Sequence, residues 1–307
     1  MYTNVYRNVK WIIETFMEKG HLTMNGLNEL WVKEEKLGGG LEMDRKCFYN
    51  YRKSIKEKFG IEICVKTKGY VYYLKNPEVI RDNSLMNFML NTLAMNEKMI
   101  DCKSLVNRIV VESIPSGGEK LDRVTDAMLK EFKFGFEYIR YGSSEKKDHI
   151  ADVYGLVLYN QRWYILAGFG KDKKYTFSLD RMQRTWITSD KSRIDPAFDA
   201  VAYFDEFYGI YNSGREMMKI VIRAFEDEAY YLRDLPIHHS QREIGSGGDY
   251  TDFMIELRPN KELIGYLLSR KNRLKVLSPD CIVDEMKEAI EGMSSLYSYF
   301  YQILIIL

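Results

Sequence analysis

Asp44-Arg-Lys-Cys-Phe-Tyr-Asn-Tyr-Arg-Lys-Ser-Ile-Lys-Glu-Lys-Phe-Gly60 runs directly into Ile61-Glu-Ile-Cys-Val-Lys-Thr-Lys-Gly-Tyr-Val-Tyr-Tyr-Leu74, and this stretch decides how the first quarter of the chain folds. At roughly 100° per residue, Phe48, Tyr51, Ile55 and Phe59 share one side of a helix over residues 44–58. Arg45, Lys46, Tyr49, Asn50, Lys53 and Lys56 share another side. Residues 61–65 and 70–74 are rich in β-branched and aromatic side chains and read as strands. Lys66-Thr67-Lys68-Gly69 joins them as a hairpin. A helix with one basic face followed by a basic hairpin is the outline of a recognition helix and its wing.

The flanks complete that outline. Val5, Val9, Ile12, Ile13, Phe16 and Met17 recur at helical spacing until Gly20. Thr23 can cap a second helix that carries Leu27, Leu30 and Trp31, and the glycines within 36–40 mark a turn. Three helices and a hairpin give a winged helix-turn-helix head over residues 1–76. Asn76-Pro77 ends it. The pattern over 78–113 is helical (Leu85, Phe88, Met89 and Leu93, then Leu105, Ile109 and Val110), so residues 77–118 are expected to form a helical connector, closed by a break at 115–118.

Short alternating segments follow a helix over 121–132. They lie at 134–141, 154–159, 162–166 and 175–180, with 184–188 as one more candidate and Asn160-Gln161 as a tight turn. Several antiparallel strands in so few residues predict a small β-barrel. From about residue 215, strands at 219–224, 240–244, 252–257 and 274–277 alternate with helices at 226–232, 261–269 and 279–307. The expected fold class is α+β throughout, with a small α+β domain last.

The head carries 14 Lys and Arg against 9 Asp and Glu over residues 1–76, a net of +5, while the remainder carries a net of −4. A basic head on a slightly acidic body fits a nucleic-acid contact confined to one end. On the basic helix arc, Lys and Arg can neutralise phosphates, and Asn or Arg can bond base edges bidentately. Lys66 and Lys68 would lie over an adjacent groove or backbone. A solvated basic helix in a three-helix bundle would have the same face; the basic hairpin beside it favours DNA. The 23 tyrosines offer stacking faces, although a Tyr-rich β core accounts for most of them.

Gln161-Arg-Trp163-Tyr164-Ile165-Leu166 resembles the signature of the WYL family, with Ile165 in place of the leucine. Tyr175-Thr-Phe177-Ser-Leu179-Asp180-Arg181-Met182 resembles that family's strand ending in Leu-Asp-Arg-Ile. His238-His-Ser-Gln241, Leu267-Leu-Ser269 and Val276-Leu-Ser-Pro279 resemble its C-terminal extension. The Arg45–Lys75 stretch also resembles bacterial WYL regulators. The resemblance implies an Sm/SH3-like barrel over 119–205, an extension domain over 206–307, a homodimer, and a nucleotide or single-stranded nucleic acid as the barrel's ligand. Arg181 is a fork of donors suited to phosphate, and Tyr154, Trp163 and Tyr164 can supply stacking faces. Tyr141, beside them, is a further ligand-site candidate, of second rank with Arg140, His149 and Arg162. Asp180 with Arg181 also fits a local ion pair. Trp163 and Tyr164 must point to opposite faces of a strand, and Tyr164 is taken for the pocket side. Many relatives carry Arg where this chain has Tyr175 and Ser178, which makes the pocket less cationic and favours a smaller ligand.

No enzyme motif is present. The four histidines lack metal-ligand spacing, and no P-loop, GxGxxG or GxSxG pattern occurs. The cysteines 47, 64, 102 and 281 form no CxxC pair. No catalytic residue, metal or cofactor is therefore expected. With no signal-peptide pattern and no membrane-spanning run, a cytoplasmic location is expected. The chain reads as a ligand-responsive regulator that binds double-stranded DNA. The alternative is an accessory protein of repair or defence that binds single strands without regulating a promoter.

Overall fold

Helix α1 (Val5–Lys19) of the computed structural model turns Val9, Ile12, Ile13 and Phe16 inward and stops at Gly20, whose φ of 74° suits a residue without Cβ. The structure describes residues 5–34, 37, 40–75, 77, 84–102, 108, 118–170 and 173–304. The expected breaks at 36–40, 76–77 and 115–118, the connector residues Leu105, Ile109 and Val110, and the apolar tail 303–307 lie wholly or partly outside these residues or their described side chains. The chain divides into two units, Met1–Glu112 and Ser113–Leu307.

In the first unit, Thr23 caps α2 (Met24–Lys33) by accepting from the Gly26 N–H, and Asp44 caps α3 (Arg45–Phe59) by accepting from the Cys47 N–H at 2.6 Å. Gly60 closes α3 in the left-handed conformation. Strands β1 (His21–Thr23), β2 (Ile63–Lys66) and β3 (Val71–Leu74) form an antiparallel sheet in the order β1-β3-β2. β1 escapes the sequence pattern because three residues carry no period. The hairpin turn is wider than expected, since Gly69 and Tyr70 both have positive φ and Tyr70 leaves its strand. Asn28, buried, accepts from the Met43 N–H and donates to the Met43 carbonyl, which ties the loop before α3 to α2. Helix α4 (Ser84–Asp101) is more than a connector. Leu90 joins the head core, and the Glu97 carboxylate accepts from the N–H groups of Tyr6 and Arg7, satisfying donors at the start of α1.

The second unit begins with α5 (Gly118–Leu129). Strands β4 (Phe132–Ile139), β5 (Lys146–Tyr159), β6 (Arg162–Gly168), β7 (Lys174–Ser178) and β8 (Met182–Lys191) pair antiparallel in the order β7-β6-β5-β4-β8. The edge strands are joined by a short 3₁₀ turn, Leu179–Arg181. The sheet curls so that Phe177 of β7 meets Phe136 and Tyr138 of β4, with ring centroids 5.0 and 4.9 Å apart. This curl makes the expected barrel. Phe134, Phe136, Ala151, Val153, Ile165, Ala167 and Leu179 fill it, and Val124 and Ala127 of α5 join the same core. Asn160 and Gln161 both have positive φ, as a tight turn between strands of right-handed twist requires.

Beyond α6 (Ala200–Phe204), strands β9 (Met218–Phe225), β10 (Arg242–Ser246), β11 (Tyr250–Leu257) and β12 (Leu274–Ser278) form a second antiparallel sheet in the order β10-β11-β9-β12. Alternate residues of β9 and β11 are buried with Leu232 of α7 (Glu228–Asp234), Leu263 and Leu267 of α8 (Lys261–Ser269) and Ile282 of α9 (Asp280–Leu304). The His-His-Ser-Gln motif is a staple here. His238 bonds the Asp205 carbonyl and Ser240, Ser240 Oγ bonds the backbone of Glu256, and the Gln241 amide bonds the backbone of Leu232 and Ile237. Buried Glu228 pairs with Arg270 at 2.6 Å. No described helix is long and apolar enough to cross a membrane.

Candidate nucleic-acid and ligand surfaces

The 3.6-residue period of α3 separates two jobs. Phe48, Ile55 and Phe59 are buried, and Tyr51 is half-buried and accepts a hydrogen bond from Asn8 at 2.7 Å. Arg45, Lys46, Tyr49, Asn50, Lys53 and Lys56 are all exposed. Among the described residues, the side chains of Arg45, Lys46, Tyr49 and Asn50 make no hydrogen bond or ion pair. The last two lysines differ. Lys53 lies 3.8 Å from Glu57, and Lys56 donates to Glu62 at 2.8 Å. That bond raises the Lys56 pKa and lowers that of Glu62, which Lys75 also approaches. Both groups are exposed, so solvent screens the pair. The first two turns of α3 are thus freer to take an outside anion than its last turn.

On the hairpin, Lys66 sits 3.1 Å from His21 Nε2 and over the Tyr73 ring, while Lys68 projects from the turn. Two contributors were missed in the sequence. Tyr70 stands exposed at the tip, where its turn conformation puts it. Arg52 does not face outward: its Nε and Nη2 both donate to the Ile63 carbonyl, and its guanidinium lies 5.2 Å from the Tyr72 ring. It fixes the first hairpin strand to α3. A basic residue one step off the exposed arc, opposite a strand, is the signal that could have found it.

In the barrel, Arg181 leaves the 3₁₀ turn and donates from Nε to the Ile139 carbonyl at 3.0 Å, with Nη2 bonded to the same oxygen. Its guanidinium lies over the Tyr141 ring, 3.3 Å from the centroid. The Tyr141 hydroxyl accepts from Arg162 Nη1 at 2.8 Å, and Arg162 Nη2 meets Asp180 at 3.2 Å. Hydrogen bonding from Arg162, then from Arg181, lowers the Tyr141 phenol pKa. Tyr164 belongs to the same group, its pKa raised by burial against a bond from Arg162. Trp163 is on the opposite side, partly buried against the barrel core. Tyr141, Tyr164 and Arg181 are therefore brought together around Arg162 and Asp180. Asp180 pairs with Arg162 here, not with its neighbour Arg181.

Tyr154 belongs to a different set of contacts. Its ring packs edge-on to Phe198 at 4.8 Å, carries Lys174 over its face, and lies so close to Gly168 that a Cβ there would sit 2.2 Å from it.

Beside the Arg162 group, a cavity of about 400 Å³ is lined by Tyr138, Arg140, His149, Phe169, Tyr175, Thr176 and Phe177. The His149 ring stacks on Phe136 at 5.2 Å and neighbours Phe169 and Phe177. Burial first, and the Arg140 charge second, lower its pKa and favour the neutral ring. Tyr138 connects the two regions: it lines the cavity, and the Arg181 guanidinium lies 5.6 Å from its ring. Arg140 and His149 were the only cavity residues singled out as candidates in the sequence. Tyr138 and Phe177 had a signal, since they continue the inward alternation of β4 and β7. Among the described residues no cluster of His, Cys, Asp and Glu could hold a metal ion.

Comparison with known proteins finds two families in succession along the second unit. Residues 119–185 match the family described as WYL domain, and residues 216–294 match the one described as WCX domain. No curated protein matches the chain. Among solved structures, proteasome accessory factor B/C of Arthrobacter aurescens aligns at 16% identity and a TM-score of 0.34, over 92% of this chain and 45% of its own. The chain thus spans less than half the length of that protein. A CRISPR Cas-related protein aligns at 11% identity and a TM-score of 0.34, over 96% of this chain and 84% of its own.

Proposed function

The chain is a WYL-domain protein with a C-terminal WCX domain, and from that premise we propose that it is a dimeric, ligand-responsive transcriptional regulator that binds double-stranded DNA. The observation that carries the proposal is the first half of α3. It presents Arg45, Lys46, Tyr49 and Asn50, exposed and unengaged among the described residues, beside a hairpin bearing Lys66 and Lys68. Phosphate contacts from the lysines position the head, and Arg45 and Asn50 supply base contacts.

The ligand is nucleotide-like. A base has aromatic partners in Tyr138, His149, Phe169 and Phe177, and stacking of this kind is sequence-tolerant. Arg140 at the cavity and the group of Tyr141, Tyr164, Arg162 and Arg181 supply donors for phosphate. With a single arginine lining the cavity, a mononucleotide or dinucleotide suits it better than a long strand. Regulation follows if this ligand favours one of two arrangements of the DNA-binding heads.

Fluorescence anisotropy on duplex DNA from upstream of the chain's own gene, against scrambled duplex and over a salt series, tests the head. Selective binding that weakens steeply with salt, and that is lost in Arg45→Ala/Lys53→Ala, supports the regulator. Equal weak binding to both duplexes, with tighter binding to single strands, replaces it with the accessory single-strand reading.

A further inference from the structure

His149 of β5 pairs in register with Phe136 of β4 and lines the barrel cavity. Its ring stacks on Phe136 at 5.2 Å and meets Phe177 at 5.3 Å and Phe169 at 5.7 Å. These neighbours are hydrocarbon. An imidazolium here has given up water on their side without gaining a partner.

The charges around the ring are unbalanced. Arg140 lines the same cavity, and among the described residues its side chain is in no ion pair. No carboxylate lines the cavity. From β4 and β7 the titratable groups facing it are the phenols of Tyr138 and Tyr175. On β5 itself, Asp148 is engaged by Arg184 of β8 at 3.3 Å, and Lys147 pairs with Glu145 at 3.2 Å. Burial and then Arg140 oppose the cationic ring, Asp148 favours it, and Lys147 opposes it. The lining offers aromatic faces and positive charge, so an anion has to come with the occupant.

A phosphodiester brings that anion. Set against Arg140, it cancels the repulsion between this arginine and the imidazolium and adds an attraction of its own. We infer that His149 takes up a proton as a phosphate-bearing ligand enters the cavity, so that the barrel reads pH and ligand together. The complex then holds the proton more firmly than the free protein does. Affinity is constant above the pKa of the complex, rises as pH falls through it, and levels off below that of the free protein. Each unit between the two is worth a factor of about ten in affinity.

The inference rests on the ligand site of the proposed function and deepens it. The probes are the dinucleoside monophosphates of thymidine and of deoxyadenosine, whose charge does not change between pH 6 and 8. With four histidines in the chain, the ring Cε1–H resonance of His149 is identified by its loss in His149→Phe. Its titration midpoint is expected to move up when the full chain is saturated with dinucleotide. Calorimetry at pH 6.5 in two phosphate-free buffers of unlike ionisation enthalpy is expected to show net proton uptake. Dissociation constants are expected to fall several-fold from pH 8 to pH 6 in the wild type, and to stay level in His149→Phe, which keeps the ring, and in His149→Gln. A His149 midpoint that stays or moves down overturns the inference, as does a pH dependence that survives in both variants. Binding that is lost in Arg181→Ala but takes up no proton overturns this inference alone. Binding of neither dinucleotide at any pH overturns it together with the ligand site.

Discussion

The guanidinium of Arg181 is held between the Tyr141 ring, 3.3 Å from its centroid, and the Ile139 carbonyl, which its Nε meets at 3.0 Å. Such an arginine is already ordered before a ligand arrives, so less side-chain freedom is lost on binding. Lysine keeps the charge but has no planar fork to stack and bridge at once. Arg181→Lys is therefore expected to weaken binding of a fluorescent dinucleotide at least about tenfold, a loss of about 1.4 kcal/mol, with Arg181→Ala weaker still. Titration by anisotropy checks it; unchanged affinity in both variants removes Arg181 from the ligand site.

Lys53 and Lys56 sit on the same arc as Arg45 and Asn50 but are paired with Glu57 and Glu62, whereas among the described residues Arg45 and Lys46 are in no ion pair. Arg45→Ala and Asn50→Ala are expected to reduce affinity for the operator more than for scrambled duplex, because base contacts carry discrimination. Lys46→Ala is expected to weaken both duplexes similarly and flatten the salt dependence by about one unit of slope. Lys56→Ala, whose partner is Glu62, is expected to have the smallest effect of the set. A Lys56→Ala loss as large as that of Arg45→Ala would place the DNA against the other end of α3.

Arg52 links α3 to the hairpin through two bonds to the Ile63 carbonyl. Removing it strands a half-buried carbonyl and uncovers the Phe48 and Tyr72 rings. Arg52→Ala is expected to destabilise the head by about 1–3 kcal/mol. Hydrogen exchange should show faster opening of β2 and β3 with α1 little changed. Equal protection in the variant would mean that the hairpin is held by its apolar residues alone.

The parts legible in the sequence were those whose period is set by one element. Phe48, Ile55 and Phe59 went inward as their spacing required, and the Asn160-Gln161 turn followed from its position between two alternating runs. What stayed hidden depends on contacts between distant segments. Glu97 meets the Tyr6 N–H across 91 residues, so α4 read as a connector although it packs on the head. The cavity takes side chains from β4, β5 and β7 that no local pattern relates. Tyr154 and Tyr164 looked equivalent as strand tyrosines. Only the neighbours Phe198 and Arg162 separate a packing ring from one beside the arginine group.

Gly135 has no room for a side chain. A Cβ added there would lie 2.1 Å from the Trp186 indole, which crosses the glycine on the neighbouring strand. The indole is large and held in the sheet, so relief needs a shift of β8 relative to β4. Gly135→Ala is expected to cost about 1–3 kcal/mol or more, and Gly135→Ala/Trp186→Ala to recover part of it. Thermal melts of these two variants and of Trp186→Ala alone check the coupling; simple additivity would mean that the indole swings away freely.

His238 makes stability of the second unit depend on pH. Its Nε2 meets the Asp205 carbonyl at 2.8 Å, and a carbonyl only accepts, so Nε2 carries the proton. Nδ1 then accepts from the Ser240 N–H. A second proton on Nδ1 would displace that bond. Burial lowers the His238 pKa, the neighbouring His239 lowers it further, and the Asp205 carbonyl opposes them. A depressed pKa means that the folded state binds a proton less readily than the unfolded chain. The stabilisation is complete above the unfolded value of about 6.5 and is lost as pH falls toward the lowered folded value. His149 in the barrel is shifted in the same direction, so the wild-type profile contains both. The His238 share is read by difference: melting temperature against pH from 8 to 5.5 is expected to fall less steeply in His238→Gln than in the wild type. Parallel profiles would show that His238 is protonated as easily in the fold as outside it, and that the Ser240 bond does not constrain it.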